Sequence, residues 1–310
     1  MLMKILISGG AGFLGSHLTE ALLEKGEEIT IVDDLSTAKY FNIRKDVEFI
    51  KKKVEEFETE KKYDVVIHLA ARPSPEDYIE HPVDTALSNS LGTYKMLEIA
   101  RKSNARFIYT SSSEVYGSAS IIPTPETYWG YVNPIGIRSC YDESKRFSEA
   151  LIMAYHRQYK LDTRIQRPFN VYGPGLREDG TYGRVVSRFI YQALKGEDVT
   201  VFGDGNQTRA FLYISDWVDA TIKLIYKDGL EGEVFNIGSD KEIKIIELAN
   251  MIIKLTGSKS RIKYLPPRPD DPPRRAADIT KAKEKLGWYP KISLEEGLKL
   301  TINWFKGVLK

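Results

Sequence analysis

An internal disulfide is closed to this sequence. Its 310 residues include one cysteine, Cys140, and a reducing cytoplasm is the expected setting. An excess of one charge is missing too. Lysine plus arginine number 45 against 43 for aspartate plus glutamate, which leaves no basic surplus to grip nucleic acid. Short basic clusters such as Lys51-Lys52-Lys53 read as solvated faces. No apolar run is long enough for a membrane span. The one at the N-terminus enters glycine by Gly9 and reads as a buried strand rather than a leader. The four histidines, His17, His68, His81 and His156, lack metal-ligand spacing, so no metal is expected and each reads as structural or surface. No Ser/His/Asp order stands out, and neither does an internal repeat or low-complexity linker. Glutamine is scarce beside abundant lysine and glutamate, a composition of thermophilic type.

What is present suits a soluble globular protein of one large domain or two modest ones, with 42% hydrophobic and 28% charged residues. Met3 to Ser8 is a short apolar strand running into Gly9-Gly10-Ala11-Gly12-Phe13-Leu14-Gly15, and a helix pattern continues to about Lys25. Gly10, Gly12 and Gly15 fit G-x-G-x-x-G, and the context is the required one, strand before and helix after. Glycines there allow a tight turn and let backbone approach a pyrophosphate at the helix N-terminus. A second strand, Glu28 to Val32, ends in Asp33-Asp34. An acid at this distance, about 20 residues past the glycines, accepts hydrogen bonds from the adenosine ribose and repels a 2′-phosphate, so NAD is favoured over NADP.

Strands and helices keep alternating. Val47 to Ile50 and Val65 to Leu69 look like strands buried on both faces; Ala86 to Ser103 is helix-like, Arg106 to Thr110 a strand, Tyr141 to Tyr159 a long helix and Thr163 to Gln166 a strand. This βαβ rhythm predicts a parallel doubly wound sheet. After Pro168 the pattern loosens, with loops marked by Gly173, Pro174, Gly175, Gly180 and Gly183. Helices are expected near 185–195, 215–226, 245–256 and 294–305, and strands near 199–202 and 234–237, the pieces at 215–226 and 234–237 returning to the sheet. The Pro- and Arg-rich run Pro266 to Arg275 lies between the last two helices. This half reads as a small lid over the C-terminal edge of the sheet, where ligands bind in such folds.

Two further stretches carry chemistry. Tyr141 and Lys145 stand four apart, on one face of a helix. An ammonium beside a phenol stabilises the phenolate, so the tyrosine pKa should fall and let it take a proton from a sugar hydroxyl near neutral pH. The strand Arg106 to Thr110 ends in Ser111-Ser112-Ser113-Glu114-Val115-Tyr116-Gly117, a hydroxyl cluster well placed for a site. Cys140 has no paired base and reads as a small buried residue.

The glycine loop, the serine cluster and Tyr141/Lys145, in that order, resemble the extended short-chain dehydrogenase/reductase superfamily of nucleotide-sugar epimerases, dehydratases and decarboxylases. The resemblance extends through Arg167-Pro168-Phe169-Asn170-Val171-Tyr172-Gly173-Pro174-Gly175, Gly203-Asp204-Gly205-Asn206-Gln207-Thr208-Arg209 and Lys285-Leu286-Gly287-Trp288. It implies a Rossmann sheet with a smaller C-terminal α/β substrate-binding domain. The expected dinucleotide domain is residues 1–168 plus about 211–238, and the sugar-nucleotide domain about 169–210 plus 239–310. By matching position, Gly9, Gly12, Phe13, Leu14, Gly15, Asp33, Asp34, Leu69, Ala70, Ala71, Tyr141 and Lys145 would contact NAD. Tyr141 would be the base at the sugar 4-hydroxyl, Lys145 would hold the nicotinamide ribose, and Ser112 would bridge hydroxyl and phenol. Ser113 would touch substrate, Asn170 would bind the diphosphate, and Arg209 and Arg275 would lie near diphosphate or sugar.

Within the superfamily, Ser112-Ser113-Glu114 and the segment Tyr128 to Arg146 resemble the UDP-glucuronate decarboxylases. His68-Leu69-Ala70 leading to Pro73-Ser74-Pro75 also matches that branch, as does Asp271-Pro272 followed by Arg275 and Asp278-Ile279. The 4,6-dehydratases carry an aspartate where Ser113 stands. There are departures: Ser144 replaces a glycine, and Lys53 replaces an aspartate that contacts adenine in many relatives. The implied activity is decarboxylation of UDP-glucuronate to UDP-xylose with NAD recycled, Glu114 and Arg209 serving the carboxylate-bearing carbon. UDP-glucose 4-epimerisation is the alternative, followed by 4,6-dehydration or a non-catalytic NAD-binding regulator. The resemblance also implies a homodimer joined by a four-helix bundle from residues 86–103 and 141–159 of each subunit.

Overall fold

The computed structural model describes residues 2–39, 44–177, 184–268 and 272–309; Gly180, Gly183 and Asp271 fall outside them. The chain forms two units. The first comprises Met1–Gly117, Val132–Pro168 and Val218–Phe235, and the second Ser118–Tyr131, Phe169–Trp217 and Asn236–Lys310.

The first unit carries the sheet. In chain order its elements are β1 (Lys4–Ser8), α1 (Phe13–Glu24), β2 (Glu28–Asp33), β3 (Glu48–Lys51), β4 (Val65–His68), α2 (Pro75–Glu80), α3 (Pro82–Ser103), β5 (Arg106–Thr110), α4 (Ser139–Tyr159) and β6 (Thr163–Pro168). With the strand Glu233–Ile237 at one edge, seven strands lie in the order Glu233–Ile237, β6, β5, β4, β1, β2, β3. The ladders from β6 to β3 are parallel. Central strands such as β4, Val-Val-Ile-His, are buried throughout, as expected of a parallel sheet covered on both faces. Leu6, Val66, Phe107 and Ile165 share one apolar cluster with Met96 and Leu97 of α3 and Ile152 and Tyr155 of α4. Each such fully buried side chain contributes about 2 kcal/mol, so this cluster fixes the sheet–helix packing. Strand order reverses direction between β1 and β4, and the carboxyl ends of those two strands form the switch point where ligands bind in doubly wound sheets.

Two expectations need correction. β3 is an edge strand, and its four residues are half-buried or exposed rather than buried on both faces. Cys140 is half-exposed, its thiol donating to the Tyr78 carbonyl oxygen at 3.4 Å. The helix α2 was not foreseen, because Pro75 reads as a loop residue in sequence, although proline suits a helix's first turn.

In the second unit the strand Thr208–Ala210 lies between Glu242–Lys244, antiparallel, and Arg274–Arg275, parallel. Val199–Phe202 pairs in parallel with Ile262–Leu265, and Val171–Tyr172 with Leu212–Tyr213. Helices Val185–Lys195, Ile245–Thr256 and Leu294–Val308 complete it. Trp288 is fully buried and donates from Nε1 to the Asp216 carbonyl at 2.9 Å. A further helix spans Ile214–Tyr226. Among the described residues no helix is long and apolar enough to cross a membrane.

Candidate active site

At the end of β1, Gly9 turns with φ +73° and donates to the Val32 carbonyl at 2.9 Å. A Cβ on Gly9 would come within 2.6 Å of the Ala70 nitrogen. On Gly15 it would collide with the Gly9 carbonyl oxygen and lie 2.6 Å from Gly10 Cα. On Gly12 a Cβ meets only the Gly9 oxygen, at 3.4 Å, so its other side is open. The N–H groups of Phe13 and Leu14 begin α1, where no intrahelical acceptor exists. Backbone donors, close approach and helix dipole together fit a pyrophosphate. Leu69, Ala70 and Ala71 follow β4 directly and flank the same loop through the Gly9–Ala70 contact.

Asp33 closes β2. Its Oδ2 accepts from Ala11 N at 3.0 Å and its Oδ1 from Leu35 N at 2.8 Å. Burial raises its pKa, opposed by those two backbone hydrogen bonds. The carboxylate is thereby anchored to the glycine loop and keeps lone pairs for ribose hydroxyls. Asp34 caps a turn through Ser36 N at 2.9 Å. Lys53, expected to be unlike its relatives, pairs with Asp84 at 3.2 Å on the surface.

The first turns of α4 supply Tyr141 and Lys145, both buried. Lys145 Nζ donates to the Thr110 carbonyl at 2.8 Å and lies 5.9 Å from the Tyr141 ring centroid and 4.7 Å from that of Tyr109. Burial pushes the Lys145 pKa down to about 7, with Glu149 opposing. Tyr141 stacks on Tyr78, ring centroids 5.1 Å apart and planes 12° from parallel. Tyr78 comes from α2, and burial raises its pKa.

Ser112 caps a short helical turn, Ser113–Tyr116, its Oγ accepting from Glu114 N at 3.2 Å. Glu114 does not stand alone: its carboxylate is bound by the Arg138 guanidinium, which also lies 3.8 Å from Asp142 and over the Tyr78 ring. The candidates of this unit thus sit at or just past the carboxyl ends of four neighbouring strands, β5, β4, β1 and β2, with α4 alongside. Sequence reasoning missed Arg138, Tyr78, Thr110 and Glu149. Arg138 stands within the segment already singled out, and Glu149 falls one helical turn beyond Lys145, so spacing could have flagged both.

In the second unit, Arg209 and Arg275 are direct partners across a parallel ladder, which places both side chains on one face. Arg209 is buried, with Nη1 donating to the Thr208 carbonyl at 2.8 Å. Asn170 adopts φ +43° and donates from Nδ2 to the Ala210 carbonyl at 2.9 Å, beside Arg209. Guanidinium and amide groups are of the type that donate to a diphosphate.

A family model described as the NAD dependent epimerase/dehydratase family matches residues 5–238. The chain is 47% identical over 304 residues to UDP-glucuronic acid decarboxylase 5 of Arabidopsis thaliana, covering 96% of this chain and 88% of that one. It is 43% identical over 312 residues to UDP-glucuronic acid decarboxylase 1 of Xenopus tropicalis, covering 99% of this chain and 73% of that one. Among solved structures, UDP-glucose 4-epimerase of Thermotoga maritima with UDP-glucose aligns at TM-score 0.92 and 36% identity, over 99% of this chain and 100% of that one.

Proposed function

The chain belongs to the NAD-dependent epimerase/dehydratase family, and from that premise we propose that it converts UDP-glucuronate to UDP-xylose and carbon dioxide. The carrying observation is the grouping of Ser112, Tyr141 and Lys145 at the sheet's carboxyl edge with Glu114 and Arg138 paired beside them. Near full-length relatives named for this decarboxylation support the choice of substrate. An epimerase shares the hydroxyl, the phenol and the lysine, but the solved epimerase is more distant, at 36% identity.

NAD, held by the Gly9–Gly15 loop, Asp33 and Lys145, would supply reversible hydride acceptance at sugar C4. The chain's own part is to hold and move protons. Tyr141 accepts the proton of the 4-hydroxyl, and Ser112 holds that hydroxyl against the phenol. The Lys145 ammonium stabilises the phenolate. The 4-keto acid then loses its C5 carboxylate, because the ketone accepts the released electron pair as an enolate. Addition of a proton from solvent at C5 removes that charge. Tyr141 gives its proton back as the C4 hydroxyl reforms, so the phenolate ends as it began. Ser113 has no acidic proton to offer for loss of water, which disfavours dehydration. Arg209, Arg275 and Asn170 supply charge and donors for the diphosphate.

The homodimer belongs to the same proposal. Val83, Leu87, Leu91 and Tyr94 form an exposed apolar stripe on α3, and Phe147 is exposed on α4. A second copy pairing the same two helices would cover them.

Incubation of the NAD-loaded protein with UDP-glucuronate should release carbon dioxide and yield UDP-xylose by mass spectrometry, while UDP-glucose stays unchanged. Conversion of UDP-glucose to UDP-galactose, with no carbon dioxide from UDP-glucuronate, overturns the decarboxylase assignment in favour of the epimerase.

A further inference from the structure

One helical turn past Lys145, the Glu149 carboxylate is held from three directions. Ser111 Oγ donates to it at 2.6 Å, Arg167 Nε at 2.9 Å and Arg167 Nη2 at 2.5 Å. Arg167 is itself fixed, its Nη1 donating to the Tyr116 hydroxyl at 2.7 Å and its guanidinium lying 4.8 Å from the Tyr116 ring centroid. Both charged side chains are 12% exposed. A buried pair of this kind is weak evidence for stability, since apolar residues of the same volume often serve as well. Nothing in the steps above uses it.

Its position gives it a task. Two ties join α4 to the end of β5: Lys145 to the Thr110 carbonyl, and Glu149 to the Ser111 hydroxyl. The next residue is Ser112. We propose that Glu149 is a positioning residue for the C4 oxidation: locked by Arg167, its carboxylate holds the end of β5 so that Ser112 stands in register with Tyr141, and it supplies the negative charge that keeps Lys145 an ammonium. The proposal rests on the roles given above to Ser112, Tyr141 and Lys145.

The charges around Lys145 agree. Tyr141 and Glu149 face it from α4, the Tyr109 ring from β5, and His68, fully buried and neutral, from β4. Of these, Glu149 is the carboxylate, paired with Arg167 on its far side. Burial alone drives Lys145 toward the neutral amine, and Glu149 opposes it. Removing that charge lets the lysine lose its proton at lower pH, and the phenolate then loses its stabilising partner.

The test measures kcat and KM against pH for the NAD-loaded full chain acting on UDP-glucuronate. Glu149→Gln keeps the shape and an acceptor for Ser111 while removing the charge, and with it the second hydrogen bond from Arg167. Its alkaline limb should move to lower pH by about half a unit or more, with KM little changed. Ser111→Ala keeps the charge and removes the tie. Its kcat should fall about threefold to tenfold with the alkaline limb in place. A folded Glu149→Gln whose alkaline limb coincides with wild type overturns the charge role, and an unchanged kcat in Ser111→Ala overturns the positioning role. If Glu149→Gln does not fold, the double variant Glu149→Leu with Arg167→Met, which replaces the buried pair by apolar side chains, is read for the same movement of the limb, and no movement overturns the charge role. A wild-type protein that leaves UDP-glucuronate unchanged fails at the underlying reading, before any variant is made.

Discussion

Gly15 shows how narrow the tolerances are around the dinucleotide loop. Its missing Cβ is the space taken by the Gly9 carbonyl oxygen and Gly10 Cα. Gly15→Ala must push that backbone aside, at about 1–3 kcal/mol, and displace the N–H groups that would meet a pyrophosphate. A titration should show NAD affinity reduced at least about tenfold, with a lowered Tm. Asp33 carries a different prediction. Because burial raises its pKa, it takes up a proton at higher pH than an ordinary aspartate. The preference for NAD over NADP should therefore narrow as pH falls through the acid range, and Asp33→Asn should show the narrowed ratio already at pH about 7. Equal affinities for the two dinucleotides in the wild type at neutral pH would sink the assignment of Asp33. Tyr141→Phe keeps the ring stacked on Tyr78 and removes the proton acceptor. Turnover should fall about a hundredfold or more while NAD still binds.

At the scale of elements, the seam between α3 and α4 is unusually polar for a helix contact. Asn89 Nδ2 donates to Ser144 Oγ at 2.9 Å, Thr93 Oγ1 to Ser148 Oγ at 3.1 Å, and Ser148 Oγ to the Asn89 carbonyl at 2.6 Å. Small side chains let the helices approach closely, and their hydroxyls satisfy one another once buried. Ser144, the departure from glycine noted in the sequence, belongs to this seam and so has a structural occupation. The opposite side of α3 carries the stripe Val83, Leu87, Leu91 and Tyr94, spaced at i, i+4, i+8 and i+11. If a second copy covers it, Leu91→Glu places a charge in the middle of the bundle. Light scattering at micromolar concentration should then change from a dimer to a monomer. A wild type that is already monomeric refutes the proposed dimer.

For the molecule as a whole, buried titratable groups set the dependence of stability on pH. His68 is fully buried, with Nδ1 2.6 Å from Ser8 Oγ, and burial together with the nearby Lys145 lowers its pKa to about 3. Unfolded, it titrates near 6.5. Between these values the unfolded chain binds a proton that the folded chain excludes, so stability falls as pH drops from about 6.5 toward 3, by up to about 1.4 kcal/mol per unit. Asp162 adds to the loss at still lower pH. Burial raises its pKa, but Arg164 at 2.9 Å and Arg106 at 2.8 Å outweigh that and hold it low, so its contribution is present above the unfolded value and disappears on protonation. Scanning calorimetry should show Tm declining from pH about 6 to 4, and His68→Gln should flatten that stretch. A wild-type Tm constant over the interval contradicts the buried neutral histidine.

By itself the sequence determined the βαβ order, the glycine loop with Asp33 beyond it, and the pairing of Tyr141 with Lys145. Each is written in contiguous residues: a period of two or of 3.6, a run of glycines, a spacing of four on one helix. In the second unit Val199–Phe202 was legible, but the shorter strands such as Thr208–Ala210 and Arg274–Arg275 were not, because so short a segment has no period to read. Tertiary structure alone decided which charges meet. Glu114 could have been free for substrate, and the fold gave it Arg138. Arg209 and Arg275 are far apart in sequence and became neighbours through a ladder register. Glu149, Ser111 and Arg167 come from α4, the end of β5 and β6, and only the stacking of helix on sheet brings them together. A side chain's type states what it can donate or accept, but its partner is fixed by which backbones pack, and that depends on apolar contacts spread along the chain.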